Sequence, residues 1–334
     1  MSIKVAINGF GRIGRCAARI ITKRNDMQIV AINDTSKRAM SQHLLKFDSV
    51  HGRFDEKVEI LEDDFMYIGN QKVKFFSDRN AENLEFSKYE ADVVLECTGV
   101  ILTKKQAVSH INNGVKKVVF SAPAKDDTPT FVMGVNSSEY AGESIISNAS
   151  CTTNALAPIV KLIQDTYGIQ KALMTTIHSY TNDQNLLDVK HKKDLRRARA
   201  AALNIIPTTT GAAKAIGLVI PSLQGKIQGL AVRVPTPNVS MIDLSIVTDK
   251  NVSTSQLQQL FISASENKYK GILGVDNEKL VSSDFNGETL SSVVPLDLLQ
   301  VVDENLIKIM SWYDNEWGYS TRLVDMAAHI CKKG

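Results

Sequence analysis

Hydrophobic and polar positions change rhythm about halfway along the chain. From residue 3 to about 150, short apolar runs alternate with stretches that carry apolar residues at three-and-four spacing. Residues 4–8 and 28–33 read as strands, with a helix over 12–22 between them. Further strands are expected at 92–96, 117–120 and 143–147, and a helix at 104–111. This alternation predicts a parallel sheet with helices on both faces. After residue 150 the β-rich runs lengthen, at 171–178, 226–234, 240–248 and 306–312, with helices near 211–218 and 253–265. That pattern predicts a mainly antiparallel sheet with helices on one side. The fold class expected is therefore an α/β Rossmann-type domain over 1–150 and an α+β domain over 151–317. The amphipathic helix near 321–331 could close the second domain. We expect residues 318–334 to return to the first.

Gly9-Phe10-Gly11-Arg12-Ile13-Gly14 fits G-x-G-x-x-G. The bare pattern is common, but here it follows a strand and opens a helix. Gly9 permits the tight turn, Gly11 lets backbone approach a pyrophosphate, and Gly14 allows close helix–strand packing. The pyrophosphate would meet the N–H groups at the helix start, where Arg12 and Ile13 stand. Asp34 ends the second strand about 20 residues on, as the motif expects of the acid that binds the ribose hydroxyls. The expected cofactor is NAD. Lys37 and Arg38 follow closely and leave NADP open.

Ser147-Asn148-Ala149-Ser150-Cys151-Thr152-Thr153-Asn154 puts a cysteine among hydroxylated residues where a helix should begin. A thiol there meets the positive end of the helix dipole, which favours thiolate. Pro158 inside that helix should remove one backbone hydrogen bond and kink it. A reactive cysteine needs a base. Of six histidines, His178 ends a β-rich run and precedes a polar segment, where it could face the mouth between two domains. Spacing alone would not separate it from an ordinary core histidine.

Composition narrows the class. The chain has 334 residues, 43% hydrophobic and 22% charged, with a net charge of +3, too small to imply nucleic acid or membrane as the main partner. Its four cysteines lie far apart, with no C-x-x-C pair, so neither a disulfide framework nor a zinc ribbon is expected, and no metal site. Reduced thiols and a start that runs from Met1 straight into an apolar strand point to the cytoplasm. No apolar run is long enough to cross a bilayer.

The motifs together resemble phosphorylating glyceraldehyde-3-phosphate dehydrogenases over nearly the whole chain. To the glycine and cysteine segments add Ser121-Ala122-Pro123-Ala124-Lys125, His178 to Gln184, Arg196 to Ala201, Pro207 to Lys214, Val232 to Asn238, Val281 to Phe285 and Trp312 to Tyr319. The resemblance implies that Cys151 attacks the aldehyde and His178 takes the hydroxyl proton. Hydride transfer to the nicotinamide leaves a thioester, which inorganic phosphate cleaves. It implies that Thr181, Arg197 and Arg233 hold the substrate phosphate, and that Ser150, Thr152, Thr210 and Gly211 hold inorganic phosphate. Read without it, Thr208-Thr209-Thr210 is a turn with a helix cap and Arg233 an edge-strand charge. On the cofactor side it implies backbone contacts from Arg12 and Ile13 to the pyrophosphate, Arg79 beside the adenine, Thr98 and Ser121 along the dinucleotide crevice, Asn315 on the carboxamide and Tyr319 near the nicotinamide ring.

It also implies a homotetramer acting on glyceraldehyde 3-phosphate and inorganic phosphate. An erythrose-4-phosphate dehydrogenase is the alternative. Relatives of that kind lack the Ala-Pro-Ala and Thr-Gly-Ala-Ala segments that stand here at 122–124 and 210–213. The chain departs from the family pattern at Ala155, where a second cysteine is usual. It departs again at Lys190, where many NAD-specific members carry proline, and at Lys192-Lys193, which adds a residue. With Thr35 and Lys37, Lys190 puts strict NAD specificity in doubt. The basic run from Lys190 to Arg199 has no interleaved aromatics and fits a loop that gathers anions or crosses a subunit interface better than a nucleic-acid patch.

Overall fold

The computed structural model describes residues 2–192 and 194–333, in two compact units. Residues 2–133, 137–150 and 320–333 make the first, and residues 134–136 and 151–319 the second.

The first unit is built on one sheet of eight strands. In chain order these are β1 (Ile3–Asn8), β2 (Met27–Asn33), β3 (Val58–Ile60), β4 (Phe65–Ile68), β5 (Gln71–Phe76), β6 (Val93–Glu96), β7 (Lys117–Phe120) and β8 (Ile145–Ser147). Their spatial order is β8-β7-β6-β1-β2-β5-β4-β3. The strands from β8 to β5 run parallel, while β4 and β3 continue antiparallel at one edge. β1 sits in the middle, and its Val5, Ala6 and Ile7 are fully buried. A strand covered on both faces needs such an unbroken apolar run. Nothing in the alternation announced β3 to β5. They mix Glu59, Lys72 and Lys74 with apolar residues and are too short for a clear period.

Three polar residues interrupt the apolar runs at the same level. Asn8 ends β1 opposite Asn33 of β2 on one side and Glu96 of β6 on the other. Helix α1 (Arg12–Thr22) starts from the glycine turn, and α2 (Arg38–Lys46) and α3 (Lys104–Asn112) follow later in the chain. Leu323, Val324, Met326, Ala327 and Ile330, near the end of the chain, pack into the core of this unit with α1 and the sheet.

The second unit also carries an eight-stranded sheet. Its strands are β9 (Ile169–Ser179), β10 (Ile206–Thr209), β11 (Ile227–Val234), β12 (Ser240–Thr248), β13 (Leu273–Asp276), β14 (Ser292–Pro295), β15 (Gln300–Val302) and β16 (Leu306–Tyr313). The order is β10-β11-β9-β12-β16-β14-β13, with β15 paired to β16. Most pairs are antiparallel, but β9 and β11 run parallel, as do β13 and β14. Helix α4 (Cys151–Tyr167) lies against β9, β12, β14 and β16 and against α5 (Ala212–Val219). Its residues from Thr152 to Val160 are all buried, as a helix sandwiched in a core requires. Pro158 leaves the helix unbroken through Tyr167. Helix α6 (Thr254–Glu266) completes this unit, and α7 (Trp317–Lys333) is the last element.

Candidate functional site

Two sites emerge, one in each unit. In the first, Gly9, Gly11, Asp34, Arg79 and Thr98 line one cavity of about 460 Å³ at the C-terminal ends of β1, β2 and β6. This is where open parallel sheets take their ligands. Gly9 has φ +92°, and a Cβ there would lie 2.6 Å from the Thr98 nitrogen. A Cβ on Gly14 would fall 2.2 Å from the Gly9 carbonyl, so the helix can start only this close to the turn with no side chain between them. A Cβ on Gly11 would meet nothing within 4 Å. Space is thus left over the one glycine whose backbone is expected to approach a pyrophosphate, and the residues present fit a dinucleotide.

Asp34 is held in place by the loops around it. Its Oδ2 accepts the Phe10 N–H (2.9 Å) and its Oδ1 the Ser36 N–H (2.7 Å). Arg12 opens α1 and pairs with Asp48 (2.5 Å). Ile13 packs on the first core, and Ser121, just past β7, donates its N–H to the Glu96 carbonyl (3.0 Å). Neither is among the residues lining the cavity.

In the second unit, Cys151 is the first residue of α4. The chain enters that helix through Ala149, whose φ of 56° is left-handed although alanine carries a Cβ, a conformation that costs about 1–2 kcal/mol. The Ser147 hydroxyl steadies this turn by accepting the Ala149 N–H (3.0 Å). His178 is the penultimate residue of β9 and is 5% exposed. Met174, Thr176 and His178 alternate onto one face of the strand. The Cys151 Sγ lies 3.5 Å from His178 Nε2. Parallel pairing sets His178 beside Arg233 of β11. Arg233 Nη1 lies 2.8 Å from His178 Nδ1, 2.9 Å from the Ser179 carbonyl oxygen and 3.5 Å from Thr181 Oγ1. Its Nε is buried with no hydrogen-bond partner. A buried guanidinium N–H without an acceptor is costly, and the site therefore favours an anion there.

Burial pulls the His178 imidazole down to about 3, and Arg233 beside it adds to the shift. Burial also pushes the Cys151 thiol up, against the pull of Arg233. Loss of water around the sulfur thus works against the helix end and the nearby cation, which favour thiolate. His178 Nδ1 lies 2.7 Å from the Ser179 carbonyl oxygen. Nε2 is the ring nitrogen that faces the thiol, while Nδ1 sits between the Ser179 carbonyl oxygen and the Arg233 guanidinium.

Of the expected residues, Cys151, Thr152, His178, Thr181 and Arg233 are brought together by these contacts. Thr152 Oγ1 is 4.0 Å from the sulfur. Arg197 belongs to a neighbouring cluster. It donates to Thr208 Oγ1 (2.8 Å), Asp183 Oδ2 (2.6 Å) and the Thr209 carbonyl (3.1 Å). Thr210 Oγ1 accepts the Ala212 N–H (3.2 Å) in the turn that leads into α5, whose N-cap is Gly211, and Gly211 is open where a Cβ would stand. Asn315 Oδ1 accepts from the hydroxyls of Ser179 (2.9 Å) and Ser240 (2.8 Å), which fixes the sense of its amide and commits Nδ2 to the other side. Tyr319 is buried in the first turn of α7. Ser150 precedes Cys151 as the last residue of the first unit's segment. Lys190, His191, Lys192, Arg196 and Arg197 line a broader groove. Lys193 lies outside the described residues.

Several residues went unnoticed in sequence. Tyr313, fully enclosed, hydrogen-bonds Thr152 Oγ1 (3.0 Å) and Thr176 Oγ1 (2.8 Å) and sets its ring edge-on to His178. It stood inside the Trp312 to Tyr319 segment with nothing to mark its role. Asp183, which fixes Arg197, and Ser179 and Ser240, which fix Asn315, gave no signal. Glu96, Asn8 and Asn33 did give one: polar residues ending otherwise apolar strands.

Comparison with known proteins identifies the family. Residues 3–104 match the glyceraldehyde 3-phosphate dehydrogenase NAD binding domain, and residues 150–315 the C-terminal domain of the same family. The chain is 51% identical over 335 residues to glyceraldehyde-3-phosphate dehydrogenase 2 of Nostoc sp., covering 99% of each. It is 48% identical to the glyceraldehyde-3-phosphate dehydrogenase of Geobacillus stearothermophilus, covering all of both chains. It is 48% identical to glyceraldehyde-3-phosphate dehydrogenase A of Escherichia coli, covering 99% of this chain and all of that one. With its family domains matched and its whole length aligned at about half identity, the chain belongs to the glyceraldehyde-3-phosphate dehydrogenase family.

Proposed function

We propose that this protein oxidises D-glyceraldehyde 3-phosphate with NAD and inorganic phosphate, reversibly, to 1,3-bisphosphoglycerate through a thioester on Cys151. The observation that carries the reading is the 3.5 Å approach of the Cys151 sulfur to His178 Nε2 beside a half-buried arginine. His178 takes the thiol proton as the sulfur adds to the aldehyde carbon, giving a hemithioacetal. It hands that proton to the new oxyanion, which completes the hydroxyl, and takes it back from the hydroxyl as hydride leaves the carbon. NAD, when bound, accepts the hydride that this step releases. The helix start of α4 and the imidazolium stabilise oxyanion character at the former carbonyl. Phosphate then attacks the thioester, and the thiolate leaves to recover its proton from His178.

Arg233, Thr181 and Arg197 hold the substrate phosphate in this reading, and Ser150, Thr152, Thr210 and Gly211 the inorganic phosphate. Gly9, Gly11, Arg12, Ile13, Gly14, Asp34, Arg79, Thr98, Ser121, Asn315 and Tyr319 bind the cofactor. The relatives' names favour the three-carbon aldehyde over erythrose 4-phosphate. Exposed Leu173, Leu186, Leu187, Leu195, Leu203 and Ile205 support burial against further copies of the chain as a homotetramer. Among the described residues no helix is long and apolar enough to cross a membrane, and we place the enzyme in the cytoplasm. The test is NADH formation from glyceraldehyde 3-phosphate with and without inorganic phosphate. Sustained turnover should need phosphate; steady turnover without it would refute the reading.

A further inference from the structure

We propose that Glu96 is a positioning residue for the dinucleotide pocket, fixing at once the loops that follow four neighbouring parallel strands. The inference rests on the reading that the cavity at Gly9 to Gly11 takes NAD. Glu96 ends β6 and is 2% exposed, yet it is a carboxylate in the middle of a sheet. Its Oε1 accepts the N–H (3.0 Å) and the hydroxyl (2.5 Å) of Thr98. Its Oε2 accepts Asn8 Nδ2 (2.6 Å) and faces His110 Nε2 at 3.4 Å. His110 is fully buried and stacks on Phe86.

The chain of bonds continues across the sheet. Asn8 Oδ1 accepts Asn33 Nδ2 (2.8 Å). Asn33 also gives Nδ2 to the Asp78 carbonyl (2.9 Å) and accepts the Asp78 N–H on Oδ1 (3.0 Å). Thr98 and Asp78, at the two ends, and Asn8 and Asn33 between them, all line the cavity.

The direction of every bond in this chain is forced. The Asp78 backbone offers one donor and one acceptor, which fixes the sense of the Asn33 amide. Asn33 then presents a donor to Asn8, so Asn8 turns its oxygen to Asn33 and its NH₂ to residue 96. From the other side Thr98 also presents an N–H to residue 96. Only a side chain that accepts on both arms satisfies both neighbours, and a carboxylate is the one that does. Glutamine has the same shape but must turn its NH₂ towards either Asn8 or the Thr98 N–H. One buried donor is then left without an acceptor, and the loop that carries it shifts. Glu96 has no place in the chemistry at Cys151, and its effect should be on cofactor binding alone.

The test compares purified wild type, Glu96→Gln and Val94→Ala by NAD titration, melting temperature and steady-state kinetics. Val94 lies on the same strand, fully buried in an apolar cluster, so its truncation loosens the fold without touching the polar chain. Glu96→Gln should weaken NAD binding and raise the KM for NAD about tenfold, with kcat and the KM for the aldehyde within about twofold. Val94→Ala should melt earlier and bind NAD as wild type does. NAD binding by Glu96→Gln equal to wild type would overturn the inference, as would an equal loss in Val94→Ala. Failure of wild type itself to bind NAD would overturn the reading of the pocket and the inference with it. Should Glu96→Gln not fold, Asn8→Ala breaks the same chain one bond further on. It must show the same split between cofactor KM and kcat, and wild-type behaviour there would overturn the inference.

Discussion

Acid should cost this fold part of its stability through His178, by an amount that follows from the site. The imidazole is 5% exposed, and burial together with Arg233 pulls it from 6.5 to about 3. In the unfolded chain it titrates at its ordinary value near 6.5. Between those two values the unfolded state holds a proton that the native state does not. The stability tied to His178 is therefore fully present above about 6.5 and is lost as the pH falls below it. Each unit is worth about 1.4 kcal/mol, so a fall from pH 7.5 to pH 5 should take about 2 kcal/mol from this group alone. His178→Gln removes the titrating group and leaves the others in place. Urea unfolding of wild type and His178→Gln at both pH values isolates the term. The variant should gain about 2 kcal/mol on wild type in passing from pH 7.5 to pH 5. An unchanged difference would mean that His178 already carries a proton in the fold, paired with a thiolate, and the neutral-base argument would fall.

Other consequences follow from single contacts. Arg197→Gln removes the guanidinium fork beside Thr208 and Thr209 and should raise the KM for glyceraldehyde 3-phosphate about tenfold. Turnover of unphosphorylated glyceraldehyde should not change, and steady-state kinetics on both aldehydes checks this. Gly14→Ala sets a methyl group 2.2 Å from the Gly9 carbonyl. Either α1 or the turn must move, at a cost of about 1–3 kcal/mol, seen as a lower melting temperature together with weaker NAD binding. Asp34→Asn removes the charge that repels a 2′-phosphate while keeping an acceptor for the Phe10 or Ser36 N–H. The ratio of NADP to NAD turnover should rise about tenfold.

How far the fold could be read from sequence depended on whether burial was one-sided, two-sided or shared with polar work. β1 was plain because both its faces are covered, which gives an unbroken apolar run. β13, β14 and β15 were missed because each has only three or four residues and takes its place from its neighbours rather than from its own period. The glycine turn was legible because Gly9 and Gly14 answer steric demands that no other residue meets. Cys151 was legible as a thiol at a helix start, but its burial comes from distant segments that leave no local trace. The partnership of His178 with Arg233 arises from the parallel register of two strands some fifty residues apart, and no spacing rule predicts it. Tyr313 and Asp183 act through side chains brought together only by the sheet.

The most direct test of the account is to mix wild type, Cys151→Ser and His178→Asn with NAD and glyceraldehyde 3-phosphate in the absence of phosphate and map any acyl adduct by peptide mass spectrometry. Wild type should release one NADH per chain in a burst and carry a phosphoglyceryl group on the Cys151 peptide. His178→Asn should form the same adduct on the order of 10²–10⁴ times more slowly, and Cys151→Ser none. An adduct on another residue, or a burst of undiminished rate without His178, would contradict the mechanism.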